Sequence, residues 1–358
     1  MSEADGSVNP AVDPGLADRR PSSLLWTGIG SWPGTDMGRA VRTAFAECPE
    51  LPYLPELPAR GPGAQLVGRG AALMSGLAVD LQPAGWRLAD APNRDARQAR
   101  SLFRQDLDDL EEVAQGYAGP VKVSVAGPWT LAAALERPRG DRVVADHGAR
   151  RDVVQSLTEG IGALVDELRR RLPDVELVVQ LDEPLLPAVL TGSLSTASGF
   201  SRHRSVDRPE VAEAYSELVA HLAATGPTGA GAVPVVVHCC AAGAPVSLLR
   251  EVGVVGVALD LGRMGTGTWD EVGEGLGEGL WFGAGALPTD VAGPLAKPDA
   301  VATRVLARLD DLGLDAEAGL RTVLTPACGL AGLEPAGALA ALRVLRSAAD
   351  IVTDRLLG

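Results

Sequence analysis

The sequence predicts an α/β protein of the (β/α)8 barrel type. Two observations lead there: short Val-rich apolar runs alternate with helical patterns, and chemically active side chains stand where the runs end. The runs are LLWTGIG (24–30), VKVSVAG (121–127), VELVVQLD (175–182), VPVVVHCC (233–240), VVGVALDL (254–261), LWFGAGAL (280–287) and TVLTPAC (322–328). Most show little regular apolar/polar alternation, as strands of a parallel sheet buried on both faces do.

The intervening segments suit helices over 97–117, 147–172, 207–225, 296–312 and 333–356. In 147–172 the residues Val153, Val154, Leu157, Ile161, Leu164, Val165 and Leu168 form one stripe. Their steps of three and four are the helical period. Strand and helix alternating at this spacing make βα units. With seven clear strands, an eighth is sought near 65–79 (QLVGRGAALMSGLAV), which could also be helical, within a decorated region at about 48–96. Residues 1–22, rich in Pro, Asp, Ser and Gly, read as a disordered tail. Residues 23–358 read as one barrel domain of TIM type.

The net charge of −14 disfavours a nucleic-acid partner, since an acidic chain repels phosphates. The densest basic run, Arg169–Arg171, ends a helical pattern, where cations suit the helix dipole. MSEADGSVNPAVDPG lacks a basic start and an apolar core, so no secretory signal is expected. No membrane span is expected either. The expected location is the cytoplasm, which leaves Cys48, Cys239, Cys240 and Cys328 as reduced thiols, available as ligands or inert.

The polar strand ends carry the functional reading. VPVVV ends in His238-Cys239-Cys240, VVQL in Asp182-Glu183-Pro184, VVGVAL in Asp260, TVLTPA in Cys328-Gly329, and LLWTGIG in Ser31. In a β/α barrel the C-terminal strand ends converge on one mouth. His238, Cys240 and Cys328 there would make a zinc set of imidazole and thiolates. His238 and Cys240, two apart on a strand, point to one side, and Cys239 to the other. Asp260 is a candidate fourth ligand or a partner behind the ligands.

Plainer readings stand beside these. The cysteines can be simple core residues, and the vicinal Cys239–Cys240 pair can be redox-active. Asp182-Glu183 can be an acidic helix start, and Ser31 an N-cap. GEGLGEG (273–279) lacks the context of a phosphate loop and reads as turns.

Taken together, the segments resemble the cobalamin-independent methionine synthase family, specifically its C-terminal catalytic barrel, in order from about 24 to 356. TGIGSWPGT (27–35) resembles T-x-IGSFPQT, and VKVSVAGPWTLAAAL (121–135) resembles K-G-x-x-TGPVTIL. VVQLDEPLL (178–186) resembles IQIDEPAL, VVVHCC (235–240) the H-x-C zinc segment, and LTPACGLAG (324–332) V-NPDCGLKTR. The resemblance implies a β/α barrel that moves a methyl group from methyltetrahydrofolate to homocysteine through a zinc-bound thiolate. By position, His238, Cys240 and Cys328 match zinc ligands, and Asp260 stands roughly where the family has a glutamate ligand. Asp182 matches the aspartate that contacts the amino-acid substrate, and is the residue assigned to catalysis. Ile29, Gly30 and Ser31 match the segment that holds the substrate carboxylate.

Three features depart from the pattern. GPGAQLVGRG (61–70) stands where an HGE segment is expected, and ALPTD (286–290) lacks the histidine of D-x-HSP. Full-length family members carry a second, N-terminal barrel. A single-barrel member is expected to use another donor, such as a methylated corrinoid protein. The superfamily also includes corrinoid-dependent thiol methyltransferases and uroporphyrinogen decarboxylase. The His–Cys–Cys set favours methyl transfer over decarboxylation. A non-catalytic zinc- or thiol-binding barrel is the alternative of another class.

Overall fold

The computed structural model describes residues 22–225, 231–289 and 293–358. Of the stretch 1–22 read as a disordered tail, only Ser22 is among them, and Asp290 of ALPTD also lies outside the described residues.

Ten strands are present among the described residues: β1 (Leu25–Trp26), β2 (Tyr53–Leu54), β3 (Ala78–Gln82), β4 (Gly85–Ala89), β5 (Gly119–Ala126), β6 (Val175–Asp182), β7 (Val235–Cys239), β8 (Gly256–Asp260), β9 (Trp281–Leu287) and β10 (Thr322–Pro326). Eight form one parallel sheet in the order β1-β10-β9-β8-β7-β6-β5-β2. Its two ends meet just beyond β1 and β2, where Ser31 bridges Glu56. The Trp32 amide donates to the Glu56 carbonyl at 2.7 Å, and the Glu56 amide to the Gly30 carbonyl at 3.1 Å. The fold is thus the expected TIM-type barrel, with β3 and β4 as a separate antiparallel hairpin.

The helices are α1 (Met37–Glu47), α2 (Leu66–Leu73), α3 (Arg94–Val113), α4 (Pro128–Ala134), α5 (His147–Arg171), α6 (Leu186–Thr191), α7 (Arg208–Ala224), α8 (Val246–Glu251), α9 (Thr266–Gly277), α10 (Pro298–Leu312), α11 (Ala316–Gly319) and α12 (Pro335–Leu357). Local chemistry sets their starts. Asp36, Asn93 and Asp146 cap α1, α3 and α5 by accepting from the Arg39, Ala96 and Ala149 amides. Proline stands in the first turn of α4, α7, α10 and α12, where its missing N–H costs nothing. The stripe read along 147–172 is the buried face of α5. No described helix is long and apolar enough to cross a membrane.

The eighth strand is a correction. The segment 65–79 forms α2 and the start of the hairpin, and β2 lies earlier, inside the region read as decoration. Its two residues sit between Pro52 and Pro55. Proline cannot donate to a ladder, so the strand is too short to show as an apolar run.

A buried ion cluster ties the 56–106 region to the barrel. Asp106, fully buried, accepts from Arg60 at 2.7 and 2.9 Å and from Arg69. The Arg69 Nε lies 3.7 Å from Glu56. Two guanidinium groups on one carboxylate satisfy a charge that burial would otherwise make costly.

Candidate metal centre

β6 and β7 run in register, which sets Asp182 beside His238. One residue past β7 stands Cys240, and two past β10 stands Cys328. The side chains of His238, Cys240 and Cys328 converge, with one ligand atom from each within 4.8 Å of the others. Cys239 is buried on the opposite side, among the apolar residues between barrel and helices. All four cysteines are free thiols.

His238 is 3% exposed. Its Nδ1 lies 3.1 Å from the Ala258 carbonyl, and its Nε2 is buried with no hydrogen-bond partner. A ring that donates from Nδ1 keeps the Nε2 lone pair free, which is the arrangement of a metal-ligating histidine. The two thiols are shifted in opposite directions. Hydrogen bonding from Cys240, and His238 beside it, hold the Cys328 thiol down, while the Cys240 thiol is pushed up by Cys328 and by burial. One imidazole and two sulfurs fit a zinc ion.

Asp260 ends β8 and is not part of this group. Its Oδ1 accepts from the Gly262 amide at 2.8 Å, and its Oδ2 lies 3.3 Å from Arg263. The carboxylate thus closes a turn at the barrel rim.

The Ile29–Ser31 segment leaves β1 at the same mouth. The Ser31 carbonyl accepts from the Leu330 amide at 2.8 Å. A Cβ on Gly329 would collide with Ser31 Oγ, so Ser31 packs directly on the residue after Cys328. Asp182 is buried and its carboxyl is raised, first by burial and further by Cys328, against His238, Lys122 and Gln180.

Four polar residues around the site escaped the sequence reading: Glu56, Lys122, Ser124 and Gln180, all buried. Glu56 follows β2, and a Cβ on Gly30 would lie 3.8 Å from its carboxyl carbon. An acid therefore does stand near the mouth, earlier in the chain than the 61–70 segment. Lys122 and Gln180 carried a signal: each interrupts a Val-rich run, at an even step from Ala126 or Asp182, so each faces the barrel interior.

Glu183 turns away from the mouth. It accepts from the Trp129 amide at 3.0 Å, the Thr130 amide and hydroxyl at 2.7 Å, and the Tyr215 hydroxyl at 2.8 Å. It therefore caps α4, not a helix of its own. Burial lifts its carboxyl from 4.5 to about 7 despite those donors. As the pH rises, the unfolded chain loses this proton first, so stability present below pH 4.5 is lost through pH 7. The stability of wild type relative to Glu183→Gln is expected to fall by about 3 kcal/mol across that range. A difference that stays flat in urea unfolding at several pH values would contradict it.

No protein-family model and no curated protein matches the chain. Among solved structures, it is similar to a B12-independent methionine synthase from Shewanella sp. W3-18-1 in complex with selenomethionine. The TM-score is 0.58 at 14% identity, over 94% of this chain and 99% of that one. The likeness is one of fold. A methylaspartate ammonia lyase from Clostridium tetanomorphum follows at 0.47 and 13% identity, over 94% of this chain and 60% of that one. A Cellulomonas fimi endo-β-1,4-mannanase stands at 0.46 and 17%, over 92% and 71%.

Proposed function

We propose that the protein is a zinc-dependent methyltransferase that moves a methyl group to a thiol, with homocysteine as acceptor and methionine as product. The observation that carries this reading is the convergence of His238, Cys240 and Cys328, with the His238 Nε2 buried and unpartnered. Those three residues would hold the ion. Zinc, when bound, supplies a thiolate at neutral pH by lowering the pKa of a coordinated thiol.

The chain's own residues account for the rest of the acceptor. Asp182, next to His238, takes the ammonium group, whose charge would favour the ionised carboxylate that burial alone disfavours. Ser31 and the Ile29–Gly30 backbone take the carboxylate. Holding both ends fixes the sulfur for in-line attack on the donor's methyl carbon, and such positioning lowers the barrier. The S–C bond forms as the bond from that carbon to the donor's nitrogen or cobalt breaks, and its electron pair leaves with the donor. Methyltetrahydrofolate and a methylated corrinoid protein are the two donors to test, and cytoplasmic conditions keep the thiols reduced.

The test is methionine formation from homocysteine by the zinc-loaded protein with each donor. Asp182→Asn is expected to weaken homocysteine binding about 10- to 100-fold, the worth of one charged hydrogen bond. Unchanged binding by calorimetry would remove Asp182 from the site. Metal and homocysteine binding without turnover with either donor would favour a non-catalytic thiol-binding barrel.

A further inference from the structure

The two arms assigned to the acceptor's ammonium and carboxylate groups are joined beneath the mouth by buried side chains. Gln180 Nε2 donates to Asp182 Oδ1 at 2.7 Å and to the Ile29 carbonyl at 2.8 Å. Lys122 Nζ donates to the Gly28 and Ile29 carbonyls at 2.8 Å and to Gln180 Oε1 at 2.5 Å. Ser124 Oγ also donates to the Ile29 carbonyl, at 3.0 Å. Register explains the geometry: on neighbouring β5 and β6, Lys122 pairs with Val178, Ser124 with Gln180 and Ala126 with Asp182.

We infer that Gln180, held by Lys122, is a positioning residue that sets the spacing between Asp182 and the Ile29–Ser31 segment and so selects thiols bearing both an ammonium and a carboxylate group. The inference rests on the proposed homocysteine site. Gln180 has one amide group with two N–H bonds, and they go to one atom of each arm. Neither arm can shift without breaking a bond buried from water, where an unmade hydrogen bond is costly. Gln180 is 2% exposed and Lys122 3%, so solvent does not replace these bonds.

The test compares three thiols on the zinc-loaded protein: homocysteine, 4-mercaptobutyrate, which lacks the ammonium group, and 3-mercaptopropylamine, which lacks the carboxylate. Wild type is expected to bind homocysteine at least about tenfold more tightly than either. Gln180→Leu and Gln180→Glu are expected to lose that preference while keeping wild-type zinc content. Gln180→Glu keeps an acceptor for Lys122, so it carries the test should Gln180→Leu fail to fold. A Gln180 variant that folds and retains the tenfold preference would overturn the inference alone. A wild type without any preference would overturn the proposed acceptor site and the inference with it.

Discussion

His238→Ala is expected to lose metal and thiol methylation together. A partner behind a ligand is typically worth 10- to 100-fold in metal affinity, so loss of a ligand itself should exceed about 100-fold. Cobalt(II) in place of zinc gives the readout, since its thiolate bands report Cys240 and Cys328 directly. Cys239→Ser is the matched control. Its sulfur lies on the far side of β7, in the apolar layer, so the variant should lose some stability and keep its metal. Equal metal loss in both variants would mean that the pocket depends on folding, with no specific role for His238.

The second large effect is on the fold. Lys122 is one of only two lysines in the chain and sits inside the barrel. Burial lowers its pKa from 10.5 to about 8, against the pull of Asp182, Cys48 and Glu56. Lys122→Met removes the donor for two carbonyls and for Gln180 and takes a buried positive charge from beside Asp182 and Glu56. The expected loss is about 3–5 kcal/mol in urea unfolding. Because the Gly28 and Ile29 carbonyls would each lose a donor and Gln180 its anchor, homocysteine binding should weaken in whatever fraction still folds. A stability change below about 1 kcal/mol would show that the polar layer is not held by this lysine.

The barrel was readable because strands buried on both faces must be apolar throughout, and the Val-rich runs at 121–127, 175–182 and 233–240 carry that mark. β2 carried none, since two residues between prolines cannot show a period. The convergence of His238, Cys240 and Cys328 followed from strand ends sharing one mouth. What the sequence could not show was how a strand-end side chain is used. Asp260 stands at a strand end like the others, but its carboxylate closes a turn with Gly262 and Arg263. Glu183 adjoins Asp182 in sequence, but the strand's alternation sends it outward to cap α4. Gln180 and Lys122 showed only as polar breaks facing the barrel interior; what each one holds depends on its cross-strand partners, which the sequence does not give.

The most direct test is the zinc content of protein prepared under reducing conditions without chelators, for wild type, Cys240→Ser and Cys328→Ser. The account predicts about one zinc per wild-type chain and loss of that zinc in both variants. Wild type free of zinc, or variants that retain it fully, would contradict the metal centre and leave the resemblance as one of fold.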